Sequence, residues 1–477
     1  MFDLGNYNYL WNIFILFIGA ILVLMTSLLT ERKSVLLTIG GATIVVAFLI
    51  TVVETFNGIG VGSVSSAGTS PIYLSGYTKL FSIAVLVPAI MSLVGLARAP
   101  FTKKPGLMIA IFMISLAFML LALSSYNLLF IFVAFEGVSI PTYVLAAYGK
   151  SDSELEAAVK YFIIGAFSTG LIIFGISLYY LSTGSLSLGM APHFTNLYYL
   201  ALGLLIFGFG FKLAVFPLHG WAIDTYTGTS NPISSYLSTS SKIMTLAVMV
   251  NIFLSSTVFF TYLKIIFAII AVITMTFGNI VAISENNVKR MLAYSSIAQA
   301  GYLATVFLVA GTSAIPLALV SLFLYVLAYG LMKGGSFLAL NSMGSYDLDK
   351  FGGMWKKSPA FAVSFSILLL SLAGFPGTLG FIGKYFLFLS VLSTGTSVAY
   401  FVVIVSVINS VASFYYYGRV IMYMFWRKGD GENVDRNYTL YASAFLTVLL
   451  GVLYFLLFSY AQHVIGNIPG ILTGGMI

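Results

Sequence analysis

Long apolar runs make up most of the chain, and its polar residues fall in short clusters between them. A helix needs about 20 apolar residues to cross the hydrocarbon core of a bilayer, and the runs have about that length. We therefore predict an all-α polytopic membrane protein with about fourteen transmembrane helices. The predicted spans are 8–29, 35–56, 77–97, 107–125, 127–148, 157–183, 197–218, 232–255, 259–283, 292–311, 315–340, 360–388, 397–425 and 437–460.

Basic residues between the spans occur in every second connection. Those connections hold Arg32 and Lys33; Arg98, Lys103 and Lys104; Lys150; Lys289 and Arg290; Lys350, Lys356 and Lys357; and Arg427, Lys428 and Arg436. Lysine and arginine accumulate on the cytoplasmic side of a membrane, so these connections are predicted to face the cytoplasm. Because the number of spans is even, both termini are then predicted on the outer side of the plasma membrane.

The composition narrows the possible chemistry. Only 8% of the 477 residues are charged and 60% are hydrophobic, whereas soluble proteins carry about 25% charged residues. The absence of cysteine excludes disulfides and cysteine-ligated iron–sulfur clusters in this chain. The histidines His193, His219 and His463 lack helical metal-ligand spacing, so we expect no metal or haem site. The net charge of +8 arises in the short connections, so we expect a lipid bilayer and not nucleic acid as the partner.

Neither end of the sequence suggests a soluble domain. The start, MFDLGNYNYLWNIF, lacks the basic region and the small-residue cleavage site of a signal peptide. The residues after the last predicted span are few, glycine-rich and apolar. We therefore expect chemistry on a large soluble substrate to belong to a partner subunit.

Two short similarities indicate an internal repeat. The segment FGFGFK at 207–212 resembles LGFIGK at 379–384, an offset of 172 residues, and Lys160 and Lys333 are offset by 173. The offset contains five predicted spans. Because five is odd, the two copies are predicted to cross the membrane in opposite directions, as the inverted repeats of transporters do. The predicted domains are 1–106 (three helices), 107–255 (first repeat), 259–425 (second, inverted repeat) and 437–477 (the last helix and a tail).

Each predicted copy also contains a helix interruption. One is FPLHGW after Lys212, with Pro217 and Gly220. The other is AGFPGTLGFIGK, which leads to Lys384. Proline removes a helix donor and frees a carbonyl, and transporters place their ion sites at such interruptions.

Four charged residues lie well inside predicted spans: Glu136, Lys212, Lys242 and Lys384. A charge at bilayer depth costs about 3 kcal/mol even on insertion scales, so it usually faces a protein interior where ions or protons move. We predict that these four form a proton relay. One alternative is that Glu136 pairs with a lysine only to lock two helices. Lys242 follows the hydroxyl-rich run SSYLSTSSK, which suits either a water chain or ordinary packing of small residues.

Four further residues are candidates for a secondary relay or for proton uptake. Lys333 lies deep in its span, whereas Lys160 is near a span end, where it can also reach the membrane surface. His219 and Asp224 follow the first interruption on the predicted cytoplasmic side. Histidine titrates near neutral pH, so His219 suits proton uptake, although an ordinary surface turn fits the same position.

Three long motifs carry a family resemblance. FKLAVFPLHGWAIDTYTGTSNPISSYLSTSSKIM, NVKRMLAYSSIAQAGY and FEGVSIPTYVLAAY resemble the proton-translocating antiporter-like family. This family comprises the L, M and N subunits of respiratory complex I, Mrp-type Na⁺/H⁺ antiporter subunits and subunits of membrane-bound hydrogenases. The stretch SLAGFPGTLGFIGKYFLF is most similar to the N subunit, since the M subunit has glutamate where this chain has Lys384. The D-type subunit of Mrp antiporters or of hydrogenases is the alternative.

The resemblance implies a fourteen-helix core with two inverted five-helix repeats. It matches Glu136 to the family's fifth-helix glutamate and Lys212, Lys242 and Lys384 to the lysines of its seventh, eighth and twelfth helices. In this family protons enter from the cytoplasm, move laterally along the charged residues and leave through a second half-channel.

The resemblance also implies a partner arrangement. The chain is expected to act as a non-redox, proton-pumping subunit of an oxidoreductase whose donor is NAD(P)H, ferredoxin or another reductant and whose acceptor is quinone. Iron–sulfur clusters, flavin and quinone are expected only in partner subunits. Such subunits also occur in mitochondria and chloroplasts, so an organellar inner membrane or a thylakoid membrane is the alternative location. A passive scaffold with inert ion pairs is a third possibility.

Overall fold

The computed structural model describes residues 10–57, 75–98, 104–255, 260–429, 434 and 436–466, and these residues are almost entirely helical. Within them the only β-structure is two isolated antiparallel bridges, so the all-α prediction is confirmed. The predicted orientation of the two termini and the position of Lys103 concern residues outside this described part.

The helices of the described chain are numbered in sequence order, and three short 3₁₀ turns lie at Thr305–Val309, Leu340–Ser342 and Leu348–Phe351. The α-helices are α1 (Trp11–Leu29), α2 (Lys33–Phe56), α3 (Gly76–Leu96), α4 (Pro105–Leu123), α5 (Leu128–Ala146), α6 (Asp152–Thr183), α7 (Thr195–Leu213), α8 (Gly220–Gly228), α9 (Asn231–Ser238), α10 (Ser240–Leu254), α11 (Phe260–Ser284), α12 (Val288–Ala304), α13 (Ile315–Ala339), α14 (Met354–Lys357), α15 (Pro359–Ala373), α16 (Leu379–Leu392), α17 (Ser397–Trp426), α18 (Tyr438–Val452) and α19 (Tyr454–Gly466).

In the described residues, twelve helical segments are long and apolar enough to cross a membrane, and they match twelve of the fourteen predicted spans. Helices α9 and α10 together form one of them, Asn231–Leu254. The other two predicted spans are not continuous. The span 437–460 consists of α18 and α19, which meet at 75°, and the span 360–388 consists of the short apolar helices α15 and α16.

Two of the interior lysines lie on the most central spans. Asn231–Leu254, which bears Lys242, is completely buried within the chain, as is the apolar part of Val288–Val309, and Ile315–Ser342, which bears Lys333, is nearly so. Helices α1 and α2 are mainly peripheral, with about a third of each buried. Protein therefore shields Lys242 and Lys333, as expected for costly groups at bilayer depth.

The two β-bridges reveal the register of the internal repeat. Asn127 pairs with Ser187 and Asn287 pairs with Asp347, and each member of the second bridge lies 160 residues after its counterpart. Both asparagines cap the following helix: the side chain of Asn127 accepts from Leu129 N, and that of Asn287 from Arg290 N. At the same shift, α4, α5 and α6 correspond to α11, α12 and α13, α7 and α8 correspond to α15 and α16, and α10 corresponds to α17.

The helix breaks agree with that register. The first break follows α7 at Ala214, with φ 59°, and the second follows α15 at Gly374, with φ 96°. These two left-handed residues are also 160 apart. Both predicted interruptions are thus present, at 214–219 and 374–378.

The pairing of Lys212 with Lys384 as equivalent residues is wrong. Lys212 lies in the last turn before its break, whereas Lys384 lies after the other break, in α16. At the shift of 160 residues the position equivalent to Lys384 is Asp224. The match between FGFGFK and LGFIGK gave the wrong offset because glycine and phenylalanine are abundant in these helices. A similarity of six residues therefore does not determine the register of the repeat. The domain boundaries stay a prediction.

We expect Gly374→Ala to lower the stability of the purified protein by about 1–2 kcal/mol, because alanine is strained in the left-handed region. The added Cβ would also meet Lys384 Cδ at 3.4 Å. The matched change Ala214→Gly should stay within about 1 kcal/mol of the parent, since it relieves strain but frees the unfolded chain. Unfolding in detergent measures both, and equal losses for the two variants would contradict this account.

Candidate functional site

Lys212 is held by a cluster of α5 and α6 side chains. Its side chain is 1% exposed, and Nζ donates to Ser139 Oγ at 2.9 Å. The rings of Phe135, Tyr143 and Tyr161 lie 5.0, 5.8 and 5.9 Å from Nζ. Aromatic faces attract an ammonium group and replace part of its hydration, so the pocket tolerates the charged lysine without an ion pair.

Glu136 lies close to this cluster but forms no direct ion pair with Lys212. Its carboxylate accepts a hydrogen bond from Thr169 Oγ1 at 2.8 Å and is only partly buried. The two charges still interact electrostatically. Ser139, one helical turn after Glu136 on α5, is the group that contacts the ammonium. The locking pair that one interpretation of the sequence required is therefore not formed.

Lys242 lies on the fully buried α10. Its Nζ donates to the carbonyl of Ser296 at 3.0 Å and to Ser296 Oγ at 2.9 Å, and Ser296 Oγ lies 2.8 Å from Tyr329 OH. The ring of Tyr226 is 5.5 Å from Nζ. In the preceding hydroxyl run, Ser240 donates to the carbonyl of Val85 at 2.9 Å, a contact that packs helices together.

Lys333 is a further buried lysine. Lys333 is completely buried on α13, and Nζ donates to the carbonyl of Leu292 at 2.9 Å and to Ser295 Oγ. Tyr417 OH from α17 donates to the same serine at 2.7 Å. The lysine is therefore joined to α12 and α17 through one hydroxyl.

Lys384 lies at the second break. Its side chain is 3% exposed, and Nζ donates to the carbonyls of Leu372 and Ala373 at 2.9 and 3.2 Å and to Ser410 Oγ at 3.2 Å. The two carbonyls end α15, where a helix has unpaired acceptors and a partial negative charge. The ammonium also lies 4.6 Å from the ring of Tyr302.

An apolar cavity of about 260 Å³ adjoins Lys384. The cavity is lined by Gly374, Phe381, Lys384, Tyr385, Phe388, Val407, Ser410, Val411 and Phe414. The side chains of Tyr385 and Val411 are 51% and 64% exposed, so the cavity opens on the surface of the chain.

The four interior lysines share one electrostatic property. Every hydrogen-bond acceptor described above for them is a carbonyl or a hydroxyl, and none is a carboxylate. Within the described ranges, the ion pairs within 4.0 Å join Lys160 to Glu156 and Asp224, and Arg290 to Glu285. Buried ammonium groups with neutral acceptors alone are poorly stabilised as charges, which suits groups that exchange protons.

The candidate uptake residues are not among the hydrogen-bond partners described above for the interior lysines. Lys160 is 44% exposed and bridges Glu156 and Asp224 at 2.7 and 2.9 Å, which ties α6 to α8. His219 packs against the rings of Phe216 and Phe277, and its buried Nδ1 has no hydrogen-bond partner among the described residues. Their role in proton uptake stays a prediction.

Sequence reasoning missed two kinds of residue. Hydroxyl groups such as Ser139 and Ser296 are the direct partners of the lysines, and only the turn spacing of Ser139 from Glu136 hinted at this. Lys289 was assigned to a cytoplasmic connection, but its side chain is 2% exposed and Nζ donates to the carbonyl of Thr229 at 2.6 Å. Lys289 also lies 5.1 Å from the ring of Tyr346. The described residues contain no cluster of three histidine, aspartate or glutamate side chains that could hold a metal ion.

Comparison of the sequence with known proteins identifies a family and several relatives. Residues 125–411 match the family described as NADH:quinone oxidoreductase/Mrp antiporter, TM. The F(420)H(2) dehydrogenase subunit N of Methanosarcina mazei is 35% identical over 358 residues, which cover 70% of this chain and 71% of that relative. The NADH-quinone oxidoreductase subunit N of Bdellovibrio bacteriovorus is 30% identical over 438 residues, which cover 87% of this chain and 88% of the relative.

Two solved structures have the same fold as this chain. A chain of respiratory complex I from Thermus thermophilus with bound aureothin superposes with a TM-score of 0.80 at 27% identity, over 94% of this chain and 99% of that one. A chain of the Mrp complex from Dietzia has a TM-score of 0.85 over 98% and 97% of the two chains, but at 20% identity it shows the fold alone. By its family match and by its relatives, the protein belongs to the transmembrane family of NADH:quinone oxidoreductases and Mrp antiporters.

Proposed function

We propose that this chain is the N-type, proton-translocating subunit of a respiratory quinone oxidoreductase related to complex I. The observation that carries the proposal is the series of buried lysines with neutral acceptors, Lys212, Lys242, Lys333 and Lys384, in a chain whose relatives are N subunits. The chain itself would carry no redox centre. Iron–sulfur clusters, flavin and quinone would belong to partner subunits, whose reduction of quinone would drive the protons.

In the proposed mechanism, each of these residues acts at one step of proton transfer. Glu136 modulates the charge on Lys212 through space, and Lys212 receives protons in the first half of the chain. Lys242 and Lys333 pass protons on through Ser296, Tyr329 and Ser295. Lys384 releases protons at the second break. Lys160, His219 and Asp224 would assist uptake at the cytoplasmic side, in a plasma membrane with both termini outside or in the equivalent organellar membrane.

A second candidate is a D-type subunit of an Mrp Na⁺/H⁺ antiporter. The likeness of fold to the Dietzia Mrp complex favours it, with a TM-score of 0.85. The relatives with 30% identity or more described above are N subunits, and they favour the N subunit instead.

Affinity purification of the tagged chain from its own membranes tests the choice. Co-purification of quinone-reducing and iron–sulfur subunits, with proton uptake by reconstituted vesicles during quinone reduction, is the expected result. If the chain co-purifies only with small membrane subunits and a Na⁺ gradient alone drives proton movement, the antiporter assignment replaces the first proposal.

We expect Glu136 to contribute to proton translocation through its charge and not through its shape. Glu136→Gln keeps the size of the side chain and an oxygen to accept from Thr169, but it removes the anion that interacts with Lys212. We expect a roughly tenfold loss of proton translocation, since a neighbouring anion sets the proton affinity of a buried lysine. Glu136→Asp should retain part of the activity.

Vesicle proton uptake measures these variants, with Thr169→Val as the matched control. Thr169→Val removes the hydrogen bond but keeps the charge, so it should pump at close to the parental rate. A fully active Glu136→Gln protein beside an impaired Thr169→Val protein would show that packing, and not charge, matters at this position.

A further inference from the structure

The lysines of the first half of the relay are not joined by hydrogen bonds among the described residues. Lys212 Nζ donates to Ser139, whereas Lys242 Nζ donates to Ser296, so the two lysines share no partner. On the other side of Lys242, Ser296 Oγ lies 2.8 Å from Tyr329 OH, so the contacts of Lys242 extend towards α13 and not towards Lys212. A proton that moves from Lys212 to Lys242 therefore needs a further group between them.

One tyrosine lies between the two lysine clusters. Tyr226 on α8 is completely buried, and its ring faces Lys242 Nζ at 5.5 Å. On its other side Tyr226 meets Trp221 edge-on at 5.7 Å, and Trp221 stacks on Tyr161 at 4.4 Å. Tyr161 in turn lies 5.9 Å from Lys212 Nζ. The three rings thus form a continuous contact from one lysine to the other.

Of these three side chains, only Tyr226 has a polar group that is not already engaged. Trp221 Nε1 donates to the carbonyl of Phe211 at 2.8 Å, and an indole nitrogen has no acceptor site. Tyr161 OH lies 3.2 Å from Thr142 Oγ1. The hydroxyl of Tyr226 is buried and has no hydrogen-bond partner among the described residues.

Two further side-chain oxygens in this part of the sequence, Thr225 Oγ1 and Asn231 Oδ1, are also buried without a hydrogen-bond partner among the described residues. A buried hydroxyl without a partner costs about 1–3 kcal/mol, and internal water commonly satisfies such groups.

We propose that the Tyr226 hydroxyl, together with internal water, is the proton link between Lys212 and Lys242. This inference rests on the proposed function. The Lys212 ammonium gives a proton to a water molecule, and the Tyr226 oxygen accepts a proton from that water on a lone pair as its own phenolic proton passes to the side of Lys242. The neutral Lys242 amine takes up that proton. Tyrosine is neutral before and after, and rotation of its hydroxyl resets the link.

The variant Tyr226→Phe separates a relay role from a structural one. It removes a single oxygen and keeps the ring contacts with Trp221, Phe337 and Lys242. Because the hydroxyl bonds to no described residue, a structural role predicts equal or higher stability and unchanged activity. The relay predicts equal or higher stability together with a loss of about tenfold in proton translocation. Positioned proton-transfer groups contribute 10²–10⁴-fold, and water partly replaces this one.

The matched control is Tyr236→Phe. Tyr236 is also completely buried, but its hydroxyl lies 2.7 Å from Ser115 Oγ and is therefore already engaged. This change should lower the thermal stability, because it removes a buried hydrogen bond, and it should leave pumping near the parental rate. The experiment uses the intact purified complex in vesicles, and it measures thermal stability, quinone reduction and proton uptake for both tyrosine variants and for Lys212→Ala and Lys242→Ala.

The four variants give distinguishable results. Loss of pumping in Tyr226→Phe and in both lysine variants, with Tyr236→Phe active, supports the link. Parental pumping by Tyr226→Phe beside inactive lysine variants overturns the link but leaves the proposed function intact. Parental pumping by the lysine variants as well overturns the proposed function. An equal loss in Tyr236→Phe would show that removal of any buried tyrosine oxygen disturbs the protein, and it would also overturn the link.

Discussion

Lys384→Arg is expected to reduce proton translocation to below about a tenth of the parental rate, although the positive charge is retained. Arginine does not release its proton at accessible pH, whereas a lysine in a buried site can do so. The carbonyls of Leu372 and Ala373, which accept from Nζ at 2.9 and 3.2 Å, can accept from a guanidinium as well. A permanent cation would therefore stay there and block the relay.

The cavity beside Lys384 makes the arginine variant informative. The space of about 260 Å³ gives the larger guanidinium room, so the substitution need not disrupt packing. Lys384→Ala is the companion variant, and the relay predicts that it is inactive too. A role as an electrostatic anchor predicts the reverse pattern, with the arginine variant active and the alanine variant impaired. Proton uptake by vesicles, together with the thermal stability of each variant, decides between the two.

Lys212→Ala is expected to leave the complex assembled but to lower proton pumping and the coupled electron flow by about tenfold or more, the scale of a lost proton-transfer group. Lys212 Nζ has one hydrogen bond in the described chain, to Ser139 Oγ, and otherwise faces aromatic rings. Truncation thus removes the proton carrier and leaves only one hydroxyl to be satisfied by water.

The control for Lys212→Ala is Lys264→Ala. Lys264 also lies on a membrane-crossing helix, α11, but it is partly exposed and stands outside the lysine series. It should pump at the parental rate. If purified Lys212→Ala complex pumps as fast as the parent, Lys212 is no part of the relay, whatever its position beside the first break.

The sequence was sufficient for most of the fold because bilayer physics acts on single segments. Runs of apolar residues set the spans, and the cost of an interior charge pointed to Lys212, Lys242 and Lys384. Proline and glycine near two of those lysines indicated both breaks. These inferences needed no knowledge of how one helix packs on another.

What the sequence could not supply depends on packing between distant segments. The repeat register became visible only through the bridges that begin at Asn127 and Asn287. The separation of Glu136 from Lys212 follows from side-chain directions at the contact of α5 with α7. The burial of Lys289 depends on the residue that follows α8, Thr229, whose carbonyl accepts from Nζ.

In the proposed relay, the neutral acceptors of the interior lysines would also determine how long a proton stays at each of them. Removing one partner of a buried ion pair costs about 3–5 kcal/mol, so a carboxylate beside each ammonium would create a deep energy well. Since about 1.4 kcal/mol changes a rate tenfold, escape from such a well would be slower by about two to four orders of magnitude. Carbonyl and hydroxyl partners would keep the wells shallow, so that turnover would be limited by the driving reaction instead of by residence on a lysine.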